Sequence, residues 1–139
     1  MVYSCIKSLI QGGDIMPWEF KDDRAIYLQL IEQIQLRIIS GSYKVGGRLP
    51  SVRDMASDAS VNPNTMQRAL SELEKIGLVY SQGTSGRFIT DDISKIEKLK
   101  KHLAKEQAEK FLKSMESIGF NKEESIIIVE ELREGNNNE

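Results

Sequence analysis

The chain has 139 residues, enough for one domain or for one small domain with an appendage. Charged residues make up 29% of it, and 19 Lys and Arg against 21 Asp and Glu leave a net charge of −2, so composition gives no basic signature for nucleic acid. The single cysteine, Cys5, excludes an internal disulfide and a CxxC zinc site, the single histidine, His102, argues against a histidine-based metal centre or triad, and no apolar run reaches the ~18 residues of a membrane span.

In residues 1–15, Val2, Tyr3, Ile6, Leu9 and Ile10 form an apolar stretch broken by Ser4, Lys7 and Ser8. No small-residue cleavage site follows, so this is not a secretory signal. Gln11-Gly12-Gly13-Asp14-Ile15 can be encoded by DNA containing a purine-rich ribosome-binding sequence at a workable distance from the Met16 codon. The expectation is a natural start at Met16, with Met1–Ile15 a translated leader; the alternative is a genuine but disordered N-terminal tail. Trp18 and Phe20 read as packing residues that anchor an N-terminal arm.

From Ile26 to Ser40 the apolar residues Ile26, Tyr27, Leu30, Ile31, Ile34 and Ile38 fall on a helical stripe, ended by Gly41. Val45-Gly46-Gly47 makes a turn. Ser51 is an N-cap candidate for a short second helix with Val52, Met55, Ala56 and Ala59 inward, and Asp54 in its first turn favours the helix start. Asn62 caps a third helix, and Pro63 suits its first position because the missing N–H is not needed there. Met66, Ala69, Leu70, Leu73 and Ile76 carry its apolar face, and Gly77 stops it. Leu78-Val79-Tyr80 and Arg87-Phe88-Ile89-Thr90 are strand-like, with Gln82–Gly86 as the hairpin turn.

After Asp92 the composition changes. Residues 93–139 hold nine Lys or Arg, ten Asp or Glu and no Pro. Ile96, Leu99, Leu103, Ala108, Phe111, Leu112, Met115 and Ile118 predict a long amphipathic helix, broken at Gly119-Phe120. Asn121 with Glu124 three residues on is a capping-box signature for another helix carrying Ile126, Ile127, Ile128, Val129 and Leu132. Residues 135–139 read as a frayed tail. There is no internal repeat.

Helix, helix, turn, helix, hairpin is the order of a winged helix-turn-helix, and Ser60-Val61-Asn62 is a suitable helix-turn-helix connection. In that geometry the start of the third helix enters the major groove. Asn62, Asn64, Thr65, Gln67 and Arg68 are polar there; Asn and Gln can pair with adenine, and Arg with guanine or phosphate. Arg48, Arg53 and Lys44 cluster upstream. Residues 44–87 carry six basic residues against four acids, an excess of two positive charges in a chain that is negative overall.

These strings resemble the GntR family of bacterial transcriptional regulators over about residues 20–90. The matching segments are Ile26-Tyr27-Leu28-Gln29, Ile38-Ile39-Ser40-Gly41, Gly47-Arg48-Leu49-Pro50-Ser51-Val52-Arg53-Asp54-Met55-Ala56, Val61-Asn62-Pro63-Asn64-Thr65-Met66-Gln67-Arg68-Ala69-Leu70, Leu73-Glu74 and Gly77-Leu78-Val79. The short tail resembles the YtrA subfamily, which implies dimerisation through the tail and repression near transporter operons. The resemblance also implies DNA contacts from Arg53, from Asn62, Asn64, Thr65 and Gln67, and from the wing tip at Thr84, Ser85 and Gly86. Two departures stand out: Pro63 replaces a frequent Arg or Ser, and the wing reads Thr84-Ser85-Gly86-Arg87-Phe88 rather than Gly-x-Gly-Thr-Phe. Arg87 is therefore a candidate for a phosphate or minor-groove contact.

The expected fold is mainly α with a small β-hairpin wing: a winged helix-turn-helix over residues 16–91 and a two-helix dimerisation tail over 92–139. The candidate DNA-binding residues are Arg48, Ser51, Arg53, Asn62, Asn64, Thr65, Gln67, Arg68, Thr84, Ser85, Gly86 and Arg87. The candidate dimer stripe is Ile96, Leu99, Leu103, Phe111, Leu112, Met115, Ile127 and Leu132. Several have a plainer reading: Asn62 and Pro63 as a cap alone, Arg68 as an i,i+4 partner of Glu72, Arg48 as a solvated turn residue, Thr84 and Ser85 as ordinary turn residues. His102, among Lys100, Lys101 and Lys105, reads as solvated. The leading function is a homodimeric repressor of an inverted-repeat operator, in the cytoplasm, with double-stranded DNA as partner and no cofactor or metal. No residue set argues for a small-molecule effector. The alternative is a winged helix that binds protein and has no operator of its own. Nothing resembles a nucleophile–base pair, paired catalytic carboxylates or a phosphate loop, so enzyme chemistry is not expected.

Overall fold

The computed structural model describes residues 16–137. The leader expectation and Cys5 lie outside them. In chain order the elements are α1 (Ile26–Ser40), α2 (Val52–Ala59), α3 (Pro63–Lys75), β1 (Val79–Ser81), β2 (Arg87–Ile89), α4 (Ile93–Ser117) and α5 (Lys122–Asn137), with a single 3-10 turn at Gly83–Ser85 between the strands. The chain forms two compact units that divide between Leu99 and Lys100, inside α4.

The first unit is a winged helix. Its core joins Leu30, Ile34 and Ile38 of α1, Met55, Ala56 and Ala59 of α2, Met66, Ala69, Leu70 and Leu73 of α3, and Leu49, Leu78, Val79 and Ile89 from the loop and hairpin. Ile96, from the first turn of α4, completes it, and Leu99 packs against it. These two residues were expected in the dimer stripe; the structure places them in this core. Helical periodicity alone does not distinguish an intramolecular neighbour from a second chain, and here the start of α4 meets the core of its own winged helix. Ile76 also departs from expectation. It is the residue after the last turn of α3 and is 55% exposed, because the helix has ended and the chain turns into Gly77 at φ 81°.

The helix ends follow local chemistry. Ser51 Oγ accepts from the Asp54 amide at 3.1 Å, and Asn62 Oδ1 accepts from the Asn64 amide at 2.8 Å. Between α2 and α3, Ser60 sits in the left-handed region at φ 55°, which reverses the chain in three residues. Asp92 Oδ1 accepts from the Ser94 amide at 3.0 Å and the Ser94 hydroxyl at 2.6 Å, at the start of α4.

Helix α1 also holds the N-terminal arm. Gln29, Gln33 and Arg37 lie one turn apart on one face. The Gln29 amide accepts from the Lys21 N–H at 2.7 Å and donates to the carbonyls of Lys21 and Arg24, each at 2.8 Å. Gln33 accepts from the Glu19 N–H and donates to the Glu19 carbonyl. Arg37 donates to the Met16 carbonyl at 2.6 Å, and its guanidinium lies 3.5 Å from the centroid of the Trp18 ring, which stacks on Phe20. Arg37 is 3% exposed, and burial lowers its pKa from the usual arginine value. Its charge is met by carbonyl dipoles and a ring face rather than by a carboxylate.

The second unit contains the rest of α4 and α5. Gly119, at φ 96°, ends α4, with the Phe120 amide donating back to the Met115 carbonyl at 3.0 Å. The expected capping box is present in both directions: Glu124 N–H to Asn121 Oδ1 at 2.8 Å, and Asn121 N–H to Glu124 Oε1 at 3.0 Å. Helix α5 continues through Gly135 to Asn137, where a frayed tail was expected. A single interior glycine costs about 1 kcal/mol relative to alanine, which weakens a helix without having to end it.

Arg37→Ala should therefore release the arm. The expected result is a loss of about 1–2 kcal/mol in urea unfolding, from the lost ring contact and charged hydrogen bond. Trp18, the only tryptophan in the chain, should shift its emission to the red as it meets water.

Candidate nucleic-acid interface

The rotation of α3 about its axis decides what it presents. Met66, Ala69, Leu70 and Leu73 are all buried, so Asn64, Gln67, Arg68 and Ser71 face outward. Thr65 is half-buried at the edge of this face, and Asn62 and Pro63 are exposed at its N-terminal end. The Asn62 side-chain oxygen is engaged in capping, which leaves its amide N–H groups free to donate. Gln67 lies beside Ser71, whose hydroxyl donates to the Gln67 carbonyl at 2.9 Å. Arg68 does not pair with Glu72. Glu72 instead bonds Lys75 at 2.9 Å, and the Arg68 guanidinium lies 4.1 Å from the centroid of the Tyr27 ring.

Helix α2 places Arg53 at its second residue. Arg53 is exposed and makes no ion pair among the described residues. Ser51, one position before the helix, spends its hydroxyl oxygen on the cap.

The wing is wider than the sequence suggests. Strands β1 and β2 pair antiparallel, with Val79 opposite Ile89, Tyr80 opposite Phe88 and Ser81 opposite Arg87. On the other side of β2 runs the segment 47–49. The Leu49 amide donates to the Arg87 carbonyl, and the Ile89 amide to the Gly47 carbonyl, both at 2.8 Å. Arg48 thus stands opposite Phe88. The turn before this segment requires Gly47: its amide donates to the Lys44 carbonyl at 2.8 Å, and a Cβ would sit 2.9 Å from that same oxygen. The Arg48 side chain lies over Gly86: a Cβ there would be 3.2 Å from Arg48 Nε, and φ at Gly86 is 109°. Arg48 therefore belongs with the wing tip, where Thr84 and Ser85 are exposed, rather than with Arg53 and Lys44 as a separate upstream cluster.

Arg87 is the candidate that the structure places elsewhere. Its Nε donates to Glu74 Oε1 at 2.7 Å, and its side chain is only 18% exposed. The same carboxylate oxygen accepts from the Ser81 hydroxyl at 2.6 Å. Ser81 and Arg87 are cross-strand partners, and strand alternation turns both toward the last turn of α3. Arg87 therefore ties the wing to α3 through its Nε. The Ser81 hydroxyl, and after it the Arg87 guanidinium, hold the Glu74 carboxyl below the usual carboxylate range against the opposing effect of burial. Glu74, Tyr27 and the strand role of residues 47–49 escaped the sequence reading. All three depend on contacts between segments far apart in the chain.

In the second unit, Phe111, Ile118, Phe120, Ile126, Ile127, Val129 and Leu132 are exposed, and Leu103, Leu112 and Met115 are half-buried. His102 is exposed beside Glu106, with its Nε2 2.9 Å from the carboxylate. Among the described residues no cluster of His, Cys, Asp and Glu could hold a metal ion, and no helix is long and apolar enough to cross a membrane.

Residues 26–89 match the family described as bacterial regulatory proteins, gntR family. The chain is 38% identical over 117 residues to the HTH-type transcriptional regulator YhcF of Bacillus subtilis, covering 84% of this chain and 97% of that one. It is 37% identical over 67 residues to the transcriptional repressor YtrA of the same organism, which covers 48% of this chain and 52% of that protein. Among solved structures, a GntR family transcriptional regulator from Listeria monocytogenes superposes with a TM-score of 0.74 at 38% identity, covering 81% of this chain and 98% of that one.

The Glu74 contacts give a pH-dependent prediction. The carboxyl has a lower pKa folded than its ordinary 4.5, so its stabilisation is complete above that value and is lost as pH falls through the lowered folded value. Glu74→Gln should cost about 1 kcal/mol at neutral pH. In urea unfolding at a series of pH values, the gap between wild type and variant should close on acidification.

Proposed function

This chain belongs to the gntR family of bacterial regulatory proteins, DNA-binding transcriptional regulators rather than enzymes, and on that premise we propose that it is a homodimeric repressor. The observation that carries the DNA-reading part is the outward face of α3. Its polar residues are exposed at a capped helix start; Arg53 is exposed at the start of α2 with no ion pair among the described residues, and Arg48 flanks the exposed wing tip. In this reading Asn64, Gln67 and the free edge of Asn62 meet base edges. Arg53, Arg48, Thr84, Ser85 and the backbone at Gly86 meet phosphates and sugars, which set position rather than sequence. Ser51 and Thr65 contribute from the rim of the same face.

Homodimerisation rests on the second unit. Ile127 is 56% exposed and Leu132 65%, on a short helical pair with few apolar partners of its own. Self-association covers such a face, and two linked half-site readers bind an inverted repeat far more tightly than one. Repression is the role named for the relative YtrA, and the resemblance of the tail supports the same role here. A DNA reader of this kind works in the cytoplasm, where its operator is.

The deciding experiment is selection of bound duplexes from a random pool, followed by comparison with the promoter upstream of its own gene. An enriched inverted repeat is the expected outcome; an unenriched pool overturns the reading. Arg53→Ala should weaken binding to all sequences and make the salt slope shallower by about one unit per chain. Gln67→Ala should instead relax preference at one base position of each half-site, at about 1–3 kcal/mol of discrimination. Replacing Ile127 and Leu132 together by Glu should give a monomer in sedimentation and a loss of about tenfold or more in operator affinity.

A further inference from the structure

We propose that Tyr27 is a positioning residue for DNA binding: its ring holds the Arg68 guanidinium on the outward stripe of α3, with the N–H edge free for a backbone phosphate. The inference rests on the DNA-binding reading above and deepens it. Asn64, Arg68, Ser71 and Lys75 recur at i, i+4, i+7 and i+11 and so share one stripe, opposite the buried Met66, Ala69, Leu70 and Leu73.

Arg68 is the one residue of that stripe whose guanidinium is stacked. Its Cζ lies 4.1 Å from the centroid of the Tyr27 ring, in the first turn of α1. The ring is half-buried and packed against the core, so it is a fixed platform, while the arginine is exposed.

The charge on Arg68 is also unspent. Glu72, the acid at i+4 that would ordinarily neutralise it, is bonded to Lys75 at 2.9 Å, and Arg68 makes no ion pair among the described residues. A guanidinium stacked on an aromatic face keeps its in-plane N–H donors available, and these match the oxygens of a phosphate. An unstacked arginine loses rotamer freedom when it binds; one already held against a ring loses less. Tyr27 therefore acts through Arg68 and touches no nucleotide itself.

The test measures binding of the full-length protein to a labelled duplex of arbitrary sequence, of about 30 base pairs, across a potassium chloride series. Arg68→Ala should make the salt slope shallower by about one unit per bound chain and weaken binding about three- to tenfold at fixed salt. Tyr27→Leu should reproduce that change, whereas Tyr27→Phe, which keeps the ring face and the packing, should leave the slope as in wild type. In an Arg68→Ala background, Tyr27→Leu should change the slope no further. Thermal melts of each variant show that the folded state is retained.

A slope unmoved by Arg68→Ala, or a Tyr27→Leu effect that persists undiminished in the Arg68→Ala background, overturns this inference alone. A wild-type protein with no salt-dependent binding to the duplex overturns the DNA reading and the inference together.

Discussion

The structure of the first unit depends on one requirement, that α3 bury one side while leaving the other free. Met66 and Ala69 are 0% exposed, Leu70 1% and Leu73 0%. Burying each large apolar side chain is worth about 1.5–3 kcal/mol, so rotating α3 even by one residue about its axis would forfeit several kcal/mol. That penalty fixes the helix more firmly than any surface contact could. It is also what aims Asn64, Gln67 and Arg68 at solvent. The reading face is therefore a by-product of the core, and its accuracy is the accuracy of core packing.

Around this helix, polar side chains do work that secondary structure elsewhere leaves to backbone. The arm before α1 has no sheet or helix of its own, yet peptide groups of Met16, Glu19, Lys21 and Arg24 are met by Gln29, Gln33 and Arg37, spaced one turn apart. The wing is tied to α3 by one carboxylate, Glu74, which receives both Ser81 and Arg87. In each case a side chain on a regular helix determines where an irregular segment lies. The platform under Arg68 follows the same pattern, with α1 supporting a residue of α3.

The charge of the chain takes on a different meaning in this light. The net charge of −2 lies in the tail, where residues 92–139 hold nine Lys or Arg against eleven Asp or Glu, while residues 16–91 balance at nine of each and gain their positive excess only over 44–87. Within the winged helix the cations are not equivalent. Arg37 is buried under Trp18, Arg87 is bound to Glu74, and Arg53, Arg48 and Arg68 are at the surface. Net charge sets none of this; what matters is which guanidinium groups the fold leaves unpaired.

The sequence by itself determined the order and ends of most elements, because these rest on local chemistry. Ser51, Asn62-Pro63, Gly77 and the Asn121–Glu124 pair act within a turn of themselves, and apolar spacing shows which side of each helix goes inward. It determined the winged-helix class for the same reason, since the class is an order of elements with short connections. Only the tertiary structure decided which partners the long-range contacts choose. It gave Arg87 to Glu74 and Arg68 to Tyr27, laid residues 47–49 along β2 so that Arg48 reaches Gly86, and put Ile96 and Leu99 into the core of the winged helix. Each of these joins residues that periodicity does not relate. A stripe or a charge read from sequence states what a residue offers, and the packed chain decides what accepts it.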